Sequence, residues 1–321
     1  MAPERLLASP RLTPVGCLAL GAAVAAAQAW PEQAAWLIAA PLALLALNLG
    51  AALCVFPRLR RGGLGLFHAC LLACILLAAW GRLTHFDGHV YLVDGQEFDP
   101  AAVGVDGRGP WHGDALQRVA FRQGPFTVSY APGVRRKHTV SRVELPGERQ
   151  WREIGDDTPL LLEGYRLYTT SNKGYAPILT WTATGGEPVT GAVMLPSFPI
   201  NDWQQVHKWT APGGGDWNFA LRTPPVDETR AWTLSPATTP DSVLIAELDG
   251  RRHELLPGAE VRTAAGVLRY DGLAGWMGYR IFHDPTIMPL LFLSLLGVAG
   301  LAWHLWKRSS RLAPALQASA A

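Results

Sequence analysis

Charged residues are scarce in this sequence. Only 17% of it is Asp, Glu, Lys or Arg, against about 25% in an ordinary soluble domain. Cysteine is missing from everything after Cys74, and Cys17, Cys54, Cys70 and Cys74 all fall in apolar segments. An oxidising compartment would therefore find no disulfide to form in the larger, C-terminal part. There is no CxxCH and no CxxC, which excludes a c-type cytochrome and a thiol carrier. No nucleophile elbow, P-loop or metalloprotease helix is present. No basic stripe points to nucleic acid. No tandem repeat divides the chain.

What is present is unevenly placed. Of 321 residues 49% are hydrophobic, and the formal charge of +2 averages two populations. From His85 to Asp284 there are 19 Lys and Arg against 24 Asp and Glu. The flanks hold nine basic residues and two acidic ones, Glu4 and Glu32. A spanning helix needs about 20 apolar residues. Four segments meet this, at about 14–30, 34–56, 64–80 and 286–306. The first also resembles a signal peptide, ending Ala27-Gln28-Ala29, but only three residues separate Trp30 from the next span. Cys17 lies at the start of that run, which argues against a lipoprotein site.

Orientation follows from Lys and Arg in the short loops. Arg5 and Arg11 precede the first span, Arg58, Arg60 and Arg61 separate the second and third, and Lys307, Arg308 and Arg311 follow the fourth. One side collects all three clusters if both termini are cytoplasmic. Arg82 is the exception. Trp30, Trp36 and Trp80 then mark the outer interface, and Trp303 and Trp306 the inner one.

The expected plan is a membrane protein in three parts. Residues 1–83 carry three transmembrane helices, 84–284 form an extracytoplasmic domain, and 285–321 hold the fourth helix and a cytoplasmic tail. The middle part reads as mostly β, a sandwich or an open barrel. Strands are expected at His89–Val93, Phe126–Tyr130, Ser141–Leu145, Tyr165–Thr170, Ile178–Thr184, Val243–Leu248 and Val267–Tyr270. The stretches Ala211–Asp216 and Pro224–Pro240 read as loops.

Among nine histidines, His68 is the informative one. It sits roughly one turn inside the third span, and an ionisable group there is a functional hypothesis by default. Its imidazole could be an axial haem ligand or an interhelical hydrogen-bond partner. His304 lies at a similar depth in the fourth span. It could pair with His68 or simply snorkel to the interface. His85 and His283 both lie at the outer membrane boundary, as weaker candidates for a shared haem or metal site. His89 follows His85 by four residues without completing a known metal motif. His112, His138, His207 and His253 read as solvated. Asn48, in mid-span, is expected to join helices. Pro41 is expected to kink its helix. Cys70 and Cys74 read as packing residues.

Several segments, taken in order, resemble the ResB (CcsB) family of cytochrome c biogenesis proteins. They are Pro41-Leu-Ala-Leu-Leu-Ala-Leu-Asn48, Leu66-Phe67-His68, Phe86-Asp87-Gly88 and Val93-Asp94-Gly95-Gln96-Glu97. Tyr165-Arg-Leu-Tyr168, Lys173-Gly174-Tyr175-Ala176-Pro177 and Asp284-Pro285 complete the set. The resemblance implies a subunit of a system II cytochrome c synthase in a bacterial inner membrane. It implies a tryptophan-rich CcsA/ResC-type partner, haem b as the transported or transiently bound cofactor, and apocytochrome c as the acceptor. His68 matches the family's membrane haem ligand. The partner's tryptophan-rich motif is absent here, so this chain is not expected to be catalytic alone. The rival expectations are a non-catalytic scaffold and an envelope ligand-binding protein without haem. A transporter is disfavoured by the few intramembrane polar groups and the lack of an inverted repeat.

Overall fold

The computed structural model describes residues 3–155, 157–200, 203–239 and 242–318. The chain forms two compact units. One comprises Met1–Asp87, Val105–Asp114 and Phe282–Ala321, the other Gly88–Gly104 and Ala115–Ile281.

The first unit is helical: α1 (Pro3–Leu7), α2 (Leu12–Ala29), α3 (Ala34–Val55), α4 (Gly62–Thr84) and α5 (Ile287–Ala318). Four of these helices are long and apolar enough to cross a membrane: α2, α3 with its 3-10 lead-in, α4, and α5 as far as Ser310. Leu18, Leu47, Leu76, Phe292, Leu295 and Val298 point outward. So large an apolar surface needs a non-aqueous covering. Three features differ from expectation. A short α1 precedes the expected spans, α5 runs past Trp306 to Ala318, and α4 runs four residues past Trp80. Arg82 does not stop it, because an arginine at a helix end can carry its charge to the interface. The Thr84 hydroxyl donates to the carbonyl of Trp80 at 3.0 Å. Helix α3 continues through Pro41.

Asn48 does join helices, and its partners are specific. Its Nδ2 donates to the carbonyls of Leu7 (2.6 Å) and Ser9 (3.0 Å), and its Oδ1 accepts from the Thr13 hydroxyl (2.9 Å). The end of α1 leaves carbonyls without helical partners, and in an apolar setting each would be costly. The Asn48 amide gives the Leu7 carbonyl a partner and is a second donor to the Ser9 carbonyl, which also accepts from Leu12 N at 3.1 Å. Between α4 and α5 the contact is closer. A Cβ on Gly63 would strike the Gly300 carbonyl and lie 2.8 Å from the His304 nitrogen. A Cβ on Gly300 would lie 3.0 Å from the Gly63 carbonyl. Small residues at a crossing let two backbones meet, which is how helices associate where water does not drive them.

The strands form three sheets. The largest has the order β2 (Gly104–Arg108), β1 (Phe86–Val93), β15 (Gly266–His283), β7 (Tyr165–Ala183), β6 (Leu160–Leu162). In it β14 (Glu260–Arg262) pairs with β15, and β8 (Pro188–Ala192) with β7. A second sheet runs β13 (Arg251–Leu255), β12 (Val243–Leu248), β10 (Gly215–Arg222), β9 (Val206–Ala211). The third runs β11 (Trp232–Leu234), β3 (Arg122–Tyr130), β4 (Arg136–Glu144), β5 (Arg152–Gly155). All but β2 and the ends of β1 and β15 belong to the second unit. Each sheet ends in edge strands, so the architecture is layered and not a closed barrel. Of the two expected loops, Ala211–Asp216 is the β9–β10 turn. Pro224–Pro240 contains β11, and its last residue lies outside the described residues.

The layers meet through large side chains. Trp181 of β7 faces Trp209 and Trp217 of the second sheet at 6.3 and 6.4 Å between ring centroids. Tyr279 of β15 reaches the third sheet through a buried polar triad. Its hydroxyl donates to Gln123 Oε1 at 2.7 Å and lies 2.6 Å from the Ser141 hydroxyl, and Gln123 Nε2 donates to Ser141 Oγ at 3.0 Å. Burial pushes the Tyr279 phenol far above its usual range, so it stays protonated. Tyr279→Phe leaves Gln123 and Ser141 short of one partner each. It should destabilise the β unit by about 1–3 kcal/mol, read as a lower denaturant midpoint with an unchanged slope.

Candidate functional site

His68 lies in the first two turns of α4, half-buried. Its Nδ1 is 2.8 Å from the carbonyl of Leu64, one turn back. A carbonyl can only accept, so Nδ1 carries a proton, and in the neutral ring Nε2 then keeps its lone pair. That is the tautomer a metal ligand needs, and the hydrogen bond on the far nitrogen orients the ring. Phe67 packs edge-on against the imidazole at 5.4 Å. Helical spacing places His68 on one stripe with Leu71, Leu72 and Ile75. Leu71 and Ile75 line an apolar cavity of about 320 Å³ together with Leu45, Asn48 and Leu49 of α3. His68 therefore belongs to the α3-facing side of α4.

His304 sits on another side. It meets α4 at Gly63, and Gly63 and His68 are about 140° apart around the helix at 100° per residue. The α5-facing stripe of α4 runs instead through Gly63, Leu66, Cys70 and Cys74. His68 thus lies away from the face of α4 that meets His304. It offers a single imidazole in apolar surroundings, and such a donor would suit one ligand bond to a metal.

At the other end of the bundle the structure assembles a second cluster. The last carbonyls of α4 are capped by residues 109–112. Trp111 N donates to the Leu83 carbonyl (2.8 Å) and Gly109 N to the His85 carbonyl (2.9 Å). His112 Nδ1 donates to the Thr84 carbonyl at 2.9 Å. Only glycine fits at 109, since a Cβ there would strike the Leu83 carbonyl. His112 stacks on Phe86 at 5.0 Å and meets His283 edge-on at 5.2 Å. His85 Nδ1 bonds the Arg82 carbonyl at 2.9 Å. The start of α5 closes beside them. Asp284 Oδ1 accepts from both the nitrogen (2.8 Å) and the hydroxyl (2.6 Å) of Thr286, a helix cap.

Sequence reasoning set His112 among the solvated histidines. It is half-buried and joins the imidazoles of the outer cluster. The signal that could have found it is Gly107-Arg108-Gly109-Pro110-Trp111-His112-Gly113, where glycines flank a Trp-His pair. His89 belongs to the β unit, with its ring against Gly104 and 5.6 Å from Tyr91. Among the described residues no three His, Cys, Asp or Glu side chains converge with metal-holding geometry.

Burial lowers the pKa of His85, and Arg82 beside it acts in the same direction, opposed by Asp284 and Asp87. Burial likewise lowers His112, with His283, Arg108 and His85 adding like charge. Both are depressed below the ordinary value of 6.5. The unfolded cap then takes up protons that the docked one resists. Docking is fully favourable above about pH 6.5 and is lost as the pH falls through the lower, folded values. Hydrogen exchange at Gly109 and Trp111, corrected for intrinsic rates, should lose protection as the pH falls below about 6.5. Asp94, from the quoted Val93–Glu97 segment, shifts the other way. Burial raises it to about 6, while its Oδ2 accepts from Gly275 N at 3.0 Å.

A search of the curated proteins returns no match to the chain. The family model described as "ResB-like family" matches residues 57–318. The match begins after α3, so Pro41–Asn48 lies outside it. It takes in α4 with His68, the β unit and α5. On that match, which covers most of its length, the chain belongs to the ResB-like family.

Proposed function

We propose that this chain is the ResB-like subunit of a system II cytochrome c synthase. In that reading it is a multi-pass protein of a bacterial inner membrane, with both termini cytoplasmic and the β unit periplasmic. Family membership supports a role in cytochrome c biogenesis. The observation that supports the finer reading is the His68 ring, which donates from Nδ1 to the Leu64 carbonyl and so, when neutral, has Nε2 for a ligand. A polar atom left without a partner in an apolar bundle is costly. Ligation to iron offsets that cost, and His68 would give haem b one axial bond as it crosses the membrane.

Among the described residues no second imidazole shares the His68 face, which supports a reading in which a CcsA/ResC-type partner supplies the other ligand. Two-histidine ligation and burial together set the iron potential. The chain's own residues bind and orient: Leu64 fixes the ring, Phe67 packs its edge, and the glycine crossing with α5 fixes the helix. The β unit carries no cysteine, so it cannot form mixed disulfides with the thiols of apocytochrome c. Haem attachment is assigned mainly to the partner, and this chain is an accessory subunit.

The direct experiment is co-purification with a tryptophan-rich membrane partner encoded beside it, with absorbance spectra before and after reduction. A Soret band that sharpens on reduction supports the reading. A stable but colourless complex would leave the scaffold role instead.

A further inference from the structure

Helices α3 and α4 are consecutive and antiparallel, so the first turn of α3 and the last turns of α4 share one end of the bundle. Trp36 and Trp80 stand there, 54% and 49% exposed. Trp111 joins them from a segment that sequence reading gave to the large polar domain. It is 53% exposed. Its ring lies 6.0 Å from Trp36 and 5.7 Å from Trp80. The backbone bonds from Gly109 and Trp111 to the end of α4 hold it in place.

Three adjoining indoles that are each half exposed make an apolar patch which water alone does not favour. An indole is suited to a boundary, with a broad apolar body and one N–H for a polar partner. The patch continues onto the outward side of α4, where Leu76 is exposed. Arg108, also exposed, lies on the same segment three residues before Trp111.

We propose that residues 107–113 are a bilayer anchor. Trp111 seats with Trp36 and Trp80 at the phospholipid headgroup level, and Arg108 supplies positive charge for lipid phosphate. The partner is a lipid surface because the patch is continuous with the apolar belt that a bilayer would cover. The segment that caps α4 is thereby fixed to the membrane as well as to the helix. This rests on the membrane-spanning reading of the bundle given above.

The test uses the full chain in vesicles of anionic phospholipid brominated at acyl positions 6,7 or 11,12. The Trp111 signal is the emission of the wild type minus that of Trp111→Phe, and the Trp36 signal is obtained likewise from Trp36→Phe. Phenylalanine keeps a ring at a half-exposed site. The expected result is loss of both signals with the shallow label and a smaller loss with the deep one. Quenching of Trp36 without quenching of Trp111 overturns the anchor and leaves the spanning bundle intact. If neither is quenched, the spanning reading fails and the anchor with it.

Discussion

His68→Gly should reduce cytochrome c maturation by about tenfold or more, and added imidazole should restore most of it. Loss of groups that merely orient a metal ligand costs about 10–100-fold, so loss of the ligand itself should cost at least as much. Glycine opens a space where free imidazole can bind, but it also weakens α4 by about 1 kcal/mol. A second variant separates the two effects. In His68→Ser the hydroxyl can still donate to the Leu64 carbonyl but offers iron no imidazole. If the ring served only to make that bond, His68→Ser would mature cytochrome normally. The account expects it to fail like the glycine variant, without equal rescue.

Gly63→Val should be the most damaging change in the helical unit. Its Cβ would meet the Gly300 carbonyl and lie 2.8 Å from the His304 nitrogen. Those are backbone atoms, so no rotamer change relieves the clash, and α4 must move away from α5. The cost belongs at the upper end of overpacking, about 3 kcal/mol. Thermal scans in detergent should show an earlier transition, and yield should fall with it. His68 lies on the opposite side of α4 from this crossing, so damage there should lower stability before haem ligation. Gly62→Val makes the contrast in space, since nothing lies near a Cβ at 62. Its φ of +58° is its own source of strain, which makes Gly21→Ala, in open space within α2, the cleaner control.

How much of this was legible in the sequence depends on the reach of each signal. The apolar helices follow from composition over some twenty residues, and all four were readable. Asn48 was readable as a joining residue, but its partners at Leu7 and Ser9 were not, because α1 is too short for a periodic signal. In the β unit each expected segment meets a strand, but together they reach only six of the fifteen, and Tyr165–Thr170 and Ile178–Thr184 are parts of a single strand, β7. Gly174 and Pro177 look like punctuation. Gly174 is there because a Cβ would press on Trp276 Nε1 and the Pro196 carbonyl, both within 3.1 Å. The carbonyl of Pro177 still accepts from Val193 N, at 3.0 Å, so the strand continues through both.

The site shows the same limit. His68 was visible because an imidazole in an apolar run is conspicuous. The orientation of its ring was not, since that rests on one hydrogen bond to Leu64. His112 is far in sequence from both His85 and His283 and lies between glycines, so no local pattern ties it to a helix end. Capping of α4 by residues 109–112 is a tertiary event. The same holds for the packing of Trp111 on Trp36 and Trp80.

The most direct measurement of the central claim is the spectrum of the purified complex carrying His68→Gly, recorded with and without imidazole. The account expects the Soret band to be lost in the variant and regained when imidazole is added. A wild-type band in His68→Gly without imidazole would contradict it.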